Sequence, residues 1–301
     1  MKGIFIITFF ILFWLGTNAQ TLVVLGTTQD AGKPQIGCQK SCCKYLKDRF
    51  FVSSLGVTDI KNKKNYLFDA TPDITAQYQL LSKTTGVKSI DGIFLTHAHS
   101  GHYTGLMYIG KEGMNGSKIP VYAMPRFISY LTNNGPWSQL VALGNINLKP
   151  LQSQTSIALD SGLIVIPIVV PHRDEFSETV GYKIIGAKKS ALYIPDIDKW
   201  KIWEKDIIAE VKAVDYAFID GTFFEDGEIN RPLKDVPHPF VSESVSIFKN
   251  QPLSVKQKIY FIHFTGLKFY QPLLSLFFLI HLNRLQYCHI LMQQPFCEKV
   301  L

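Results

Sequence analysis

The sequence predicts an α/β protein in which two mixed β-sheets pack face to face with helices on the outside. Two observations carry this. Short apolar runs that end in small or polar residues recur in both halves of the chain, each set followed by segments of helical periodicity. No linker rich in glycine, serine or proline separates the halves, so they read as one domain with a repeated plan. At 301 residues and 47% hydrophobic, the chain is long enough to bury a substantial core.

The elements follow in order. "MKGIFIITFFILFWLGTNAQ" has one lysine, an apolar run from Ile4 to Leu15 and a small-x-small end at Thr17–Asn18–Ala19. That pattern predicts a signal peptide over residues 1–19, cut near Ala19, and a periplasmic or extracellular location. The run is too short to span a bilayer comfortably, so no stable membrane span is expected after its removal. "TLVVLGTTQDAG" reads as a strand and a glycine-containing loop, and "FVSSLGV", "NYLFDATPD" and "DGIFLTHAHSGH" repeat that rhythm. Lys61, Lys63 and Lys64 fall in an expected hairpin turn. Helices are expected over Ile74–Leu81, from Gly105 toward Tyr108 and over Pro125–Leu131, and a polar connection over 133–147. Strands resume at "SGLIVIPIVVPH", "VGYKIIG", "SALYIPD" and "VDYAFID", with a helix at Lys199–Val211 between the last two, capped by Asp198. Trp137, Trp200 and Trp203 read as core or rim.

Formal charge is +7, but Lys2, Lys268, Arg284 and Lys299 lie in the terminal segments and the remaining lysines are scattered. A clustered basic groove of the kind a nuclease needs is not apparent, so the expected partner is a small molecule rather than nucleic acid. Of the five cysteines, Cys38, Cys42 and Cys43 cluster in "GCQKSCCKY". Part of a structural zinc site, a disulfide and buried free thiols all remain open for them.

The segment "FLTHAHSGHYTGL" packs His97, His99 and His102 into six positions at the end of an apolar strand. Neutral imidazoles are the commonest metal ligands, and alternate residues on a strand-end loop can converge on one ion, whereas packing gives no reason for three together. "THAHSGH" resembles the HxHxDH signature of the metallo-β-lactamase superfamily, and further matches come in that superfamily's order. These are Asp69 in "YLFDATPD", His172 in "VVPHRD", Asp196 in "LYIPDID" and His263 in "IYFIHF". "VLGTTQDAGKPQIGC", "FDATPDITAQ", "HAHSGHYTGL" and "VPHPFVSES" are similar to the branch of the pyrroloquinoline quinone biosynthesis protein B and its relatives.

The resemblance implies an αββα four-layer sandwich over residues 20–263 and a metal-dependent hydrolase. His97, His99 and His172 would hold one zinc, and Asp196 would bridge to a second ion, zinc, iron or manganese, held also by His102 and His263. A metal-bound hydroxide would attack an ester, lactone or phosphodiester, with Asp69 orienting the imidazoles. His238 is a candidate proton donor to the leaving group. The alternative is a non-hydrolytic metal-dependent oxidase, or a carrier for a quinone-type cofactor. Gly101 stands where the signature has aspartate, which predicts a second site short of one anionic oxygen and therefore weaker or more selective. Asp220 in "FIDGTFF" is expected to orient a neighbour or cap rather than to ligate. From Phe264 onward the chain turns dense in leucine and phenylalanine and departs from the branch, so 264–301 is expected to be an atypical apolar tail, from an altered reading frame or a truncated gene rather than an evolved module.

Overall fold

The structure, a computed structural model, describes residues 20–265 apart from 45, 47, 160, 161 and 229–235. The leader and nearly all of the tail discussed above, with Cys288 and Cys297, lie outside the described residues.

The first half contains β1 (Gln20–Gly26), α1 (Ser41–Lys44), β2 (Ser54–Asp59), β3 (Lys64–Phe68), α2 (Ile74–Thr85), β4 (Gly92–Phe94), α3 (Ser100–Tyr103), β5 (Ile119–Ala123), α4 (Pro125–Asn133), α5 (Trp137–Ala142) and β6 (Ile146–Pro150). The second contains β7 (Ile157–Ala158), β8 (Ile164–Val169), β9 (Val180–Ile185), β10 (Ser190–Ile194), α6 (Ile207–Lys212), β11 (Tyr216–Asp220), α7 (Val241–Phe248), α8 (Leu253–Lys256) and β12 (Ile259–Ile262). One six-stranded sheet runs in the order β1-β2-β3-β4-β5-β6 and the other β12-β11-β10-β9-β8-β7. In the first, β3 to β6 are parallel and β1 to β3 antiparallel. In the second, β10 to β12 are parallel and β7 to β10 antiparallel, so each sheet is mixed. Among the described residues no helix is long and apolar enough to cross a membrane.

Strand alternation explains the layering. Tyr66, Phe68 and Phe94 point between the sheets, where they meet Val180, Tyr182 and Tyr193 of the opposite sheet. Phe94 stacks on Phe68 at 5.1 Å and on Tyr122 at 4.3 Å, and the edge of Tyr182 closes onto both phenylalanines. The intervening Leu67, Ile93 and Leu95 point outward against Ile74 and Leu81 of α2 and Phe127 and Leu131 of α4. On the other flank Leu192, Ile194 and Ile219 pack against Ile207 and Val211 of α6 and Phe248 of α7. Strands buried on both faces read as continuous apolar runs, which is why "NYLFDA" and "GIFLT" stood out. The result is the expected αββα order.

Two expectations change. The polar connection at 133–147 holds α5 and the start of β6; Trp137 and Val141 pack onto the outer core, although a six-residue helix is too short to show a period. The helix expected at Lys199–Val211 is a 3-10 turn at Trp200–Ile202 followed by α6, because both Trp200 and Trp203 are drawn into the core and Trp203 is extended. Asp206 caps α6 by accepting from Ile208 N at 2.9 Å, and Asp198 has a different task.

The loop after β3 is seated on Gly105. A methyl group there would lie 2.0 Å from Thr71 O and 2.9 Å from Ala70 O, and Gly105 N donates to Ala70 O at 2.9 Å. Gly105→Ala is expected to destabilise the protein by about 3 kcal/mol, read as a lower urea midpoint at unchanged slope.

Candidate metal centre

The polar residues singled out in the sequence meet where the parallel strands end. Asp69 directly follows β3, His97, His99 and His102 follow β4, Asp196 follows β10, and His263 follows β12. His172 arrives on the β8–β9 connection. Ser177 Oγ accepts from Ala98 N at 2.8 Å, and Val180 N donates to Thr96 O at 3.1 Å, which fastens that connection to the histidine loop. Asp69 (φ 70°) and His263 (φ 67°) both adopt the left-handed backbone region, a strain that persists only where the surroundings over-determine it.

Each imidazole turns one nitrogen to an orienting group and the other to a common centre. His102 Nδ1 lies 2.8 Å from Asp69 Oδ2, His172 Nδ1 3.0 Å from Asp198 Oδ1, and His263 Nδ1 2.8 Å from Thr222 Oγ1. His97 Nδ1 is 3.0 Å from Thr96 Oγ1, and His99 Nε2 is 3.3 Å from Glu175 Oε2. Such partners set the tautomer and aim of a metal-binding histidine. Asp198 therefore steadies His172 instead of capping a helix.

On the inward side, ligand atoms within 4.8 Å of one another form three groups that share Asp196, the third of them Asp196, Asp220 and His238. The first is His97, His99, His172 and Asp196; the second is Asp30, His102, Asp196 and His263. Asp196 Oδ1 is 3.2 Å from His172 Nε2, and Oδ2 is 3.3 Å from His97 Nε2 and 3.7 Å from both His102 Nε2 and His263 Nε2. Despite this crowding, His102 Nε2, His172 Nε2 and Asp196 Oδ1 are buried and make no hydrogen bond. Buried polar atoms without a partner are rare, and here they are close to one another yet aimed elsewhere. Imidazole and carboxylate donors orphaned in this way fit bound metal ions. Cys38 and Cys43 belong to none of these groups.

Electrostatics agree. Burial pushes His97 well below the usual imidazole range, the charge of His102 adds to this, and Asp196 opposes it. Burial likewise lowers His99. Both are thus held as neutral donors. Burial would lower His102 too, but the carboxylates of Asp69 and Asp30 outweigh it and raise the group. Burial would raise Asp196, yet the surrounding histidines hold it well below the carboxylate range.

His238 occupies a third position. Its Nδ1 lies 2.9 Å from Asp220 Oδ2 and 3.1 Å from Asp196 Oδ1. Asp220 also accepts from Ile197 N at 3.1 Å and from Thr222 N and Oγ1 at 2.9 and 2.7 Å. Burial would lower His238, but Asp220 and Asp196 overcome it and push the imidazole up to about 10. Asp220 orients and charges this histidine.

Sequence reasoning missed Asp30 and therefore expected a shortage of carboxylate in the second group, which Asp30 makes up. Asp30 Oδ1 stands 3.2 Å from His102 Nε2 and 3.4 Å from His263 Nε2. The available signal was an aspartate in a strand-end loop of "LGTTQDAG", with nothing local to tie it to His263. Glu175 and Thr222 were also unassigned, and Asp198 was read as a helix cap rather than as the partner of His172. A cleft of about 430 Å³ lined by Met124, Pro125, Leu151 and Glu178, among others, lies at the ends of β5 and β6 and contains none of these groups.

Two mixed sheets inside outer helices, with two His/Asp groups joined by one carboxylate at the strand ends, define a metal-dependent hydrolase. Residues 64–264 match the β-lactamase superfamily domain, and the chain belongs to that superfamily. No curated protein matches it in sequence. Zn(2+)-bound PqqB from Methylobacterium extorquens is similar in structure, with a TM-score of 0.67 and 21% identity over 82% of this chain and 89% of that one. A diphosphatase from the PhnP family superposes with a TM-score of 0.57 and 25% identity over 81% and 86%. The short form of human tRNase Z does so with a TM-score of 0.54 and 16% identity over 82% and 93%.

Proposed function

We propose that the protein is an exported hydrolase of small phosphodiesters, with zinc at His97, His99 and His172 and a second divalent ion beside it. The observation that carries this is Asp196, one carboxylate whose two oxygens serve two groups of ligands, the arrangement suited to in-line displacement at phosphorus. Bound there, the ions supply Lewis acidity toward a phosphoryl oxygen and bring the pKa of water toward 7. The apolar leader that ends at Ala19 supports export.

The chain's own residues do the remaining work. His97, His102, His172 and His263 are sealed from solvent, while His99 and Asp30 are partly exposed, so substrate enters on their side. Arg173 follows His172 and pairs at 3.8 Å with Glu175, the carboxylate that lies 3.3 Å from His99. His238 has Nδ1 hydrogen-bonded to Asp220, so a proton for the leaving oxygen is delivered from Nε2. The diphosphatase resemblance supports phosphorus over carbon as the reacting centre.

The test is a panel of bis(p-nitrophenyl) phosphate, p-nitrophenyl acetate and a simple lactone, each with zinc, manganese or iron. Diester turnover that chelator abolishes and zinc or manganese restores is expected. Lactone or ester turnover without diester turnover would contradict the proposal.

A further inference from the structure

We propose that Asp30 is the carboxylate ligand of the second metal and that Gly101 is the vacancy that admits it. The anionic donor missing from "HAHSGH" has thus moved to a loop 71 positions earlier in the chain. This rests on reading the His/Asp groups as a metal centre.

The steric argument is direct. A Cβ at position 101 would lie 2.4 Å from both Asp30 Cα and Asp30 Oδ1, and 2.8 Å from Asp30 Cβ. Real Cβ atoms do not approach backbone that closely, so a side chain at 101 and a carboxylate at 30 cannot share this space. The chain has one or the other, and it has Asp30. His102 Nε2 supplies the second observation: it is fully buried, within 3.2 Å of Asp30 Oδ1, and still without a hydrogen bond. Two atoms so placed point at a shared third position rather than at each other.

Backbone pairing explains how a residue so distant reaches the site. Thr28, beyond the end of β1, bridges both Val52 and Phe264. Gln29 N donates to Phe264 O at 3.0 Å, and Phe264 N donates to Thr27 O at 2.9 Å. This seam joins the edge strands of the two sheets and sets Asp30 beside His263. The chain then turns, with Gly32 N donating to Gln29 O at 2.8 Å. Asp30 is thereby held by the seam, independently of the histidine loop.

The second site is therefore complete, with two imidazoles and two carboxylates against three imidazoles and one carboxylate for the first. An oxygen-richer set suits manganese or iron(II) better than the nitrogen-rich set does. The exchange changes the kind of ion preferred rather than weakening the site.

Metal content after exhaustive dialysis tests this on wild type, Asp30→Ala and Gly101→Ala. Wild type is expected to retain two equivalents, and each variant one. Asp30→Asn, which keeps the size of the side chain, is expected to raise the Kd of the second equivalent at least about tenfold and gives the same readout if the alanine variant fails to fold. Two equivalents retained by Asp30→Ala, an unchanged second Kd in Asp30→Asn, or a single equivalent in wild type would overturn the proposal. No metal bound to wild type at all would instead bring down the metal-centre reading beneath it.

Discussion

Asp196→Asn is expected to empty both metal positions and to lower diester turnover at least about a thousandfold, a loss of roughly 4 kcal/mol of transition-state stabilisation. The substitution keeps the shape of the side chain and removes only its charge. Asp196 is buried among His97, His102, His172, His238 and His263, and it is the one residue common to every group of candidate ligands. An amide there presents one weak oxygen ligand and one NH₂ that offers a metal ion no lone pair, so one of the two positions loses its carboxylate oxygen in either orientation. Asp30→Ala touches only the second group, and Asp198→Asn only the aim of His172, so neither should match it. Metal content and kcat/KM measured together are decisive. Two equivalents retained by Asp196→Asn would show that this carboxylate is not shared.

How much of this was legible depends on how local the signal is. The first group could be read because His97 and His99 are alternate residues behind a doubly buried strand, and His172 and Asp196 also stand where apolar runs end. Asp69 was legible for the same reason. Asp30 was not, since its place follows from the seam between Thr28 and Phe264, a pairing across most of the chain that no periodicity announces. Gly101 consequently looked like a deficiency when it is half of an exchange. Asp198 was misread because an acidic residue before an apolar, tryptophan-bearing segment has the form of a helix cap. The burial of both tryptophans breaks that segment and leaves Asp198 facing His172. The elements missed at 137–150 are a short helix and a strand with one fully buried residue, Ile146, too little pattern to detect.

His238→Asn is expected to leave both metal equivalents in place and to lower turnover by about a hundred- to ten-thousandfold for substrates with an alkoxide leaving group. For p-nitrophenolate, which departs without a proton, the same variant should lose far less. The distinction follows from where the imidazole sits. It is buried beside Asp196 but belongs to neither histidine-rich group, and its Nδ1 is taken up by Asp220. Asparagine can keep the Nδ1 contact through its amide, so the orientation of Asp220 and Asp196 is preserved while the proton held at Nε2 is gone. Asp220→Asn should show a milder form of the same pattern, because it leaves the imidazole in place with one fewer carboxylate raising its pKa. Comparing methyl p-nitrophenyl with dialkyl phosphodiesters, alongside metal content, separates proton delivery from metal binding. Equal losses on both leaving groups would mean that His238 serves the architecture of the site and donates no proton.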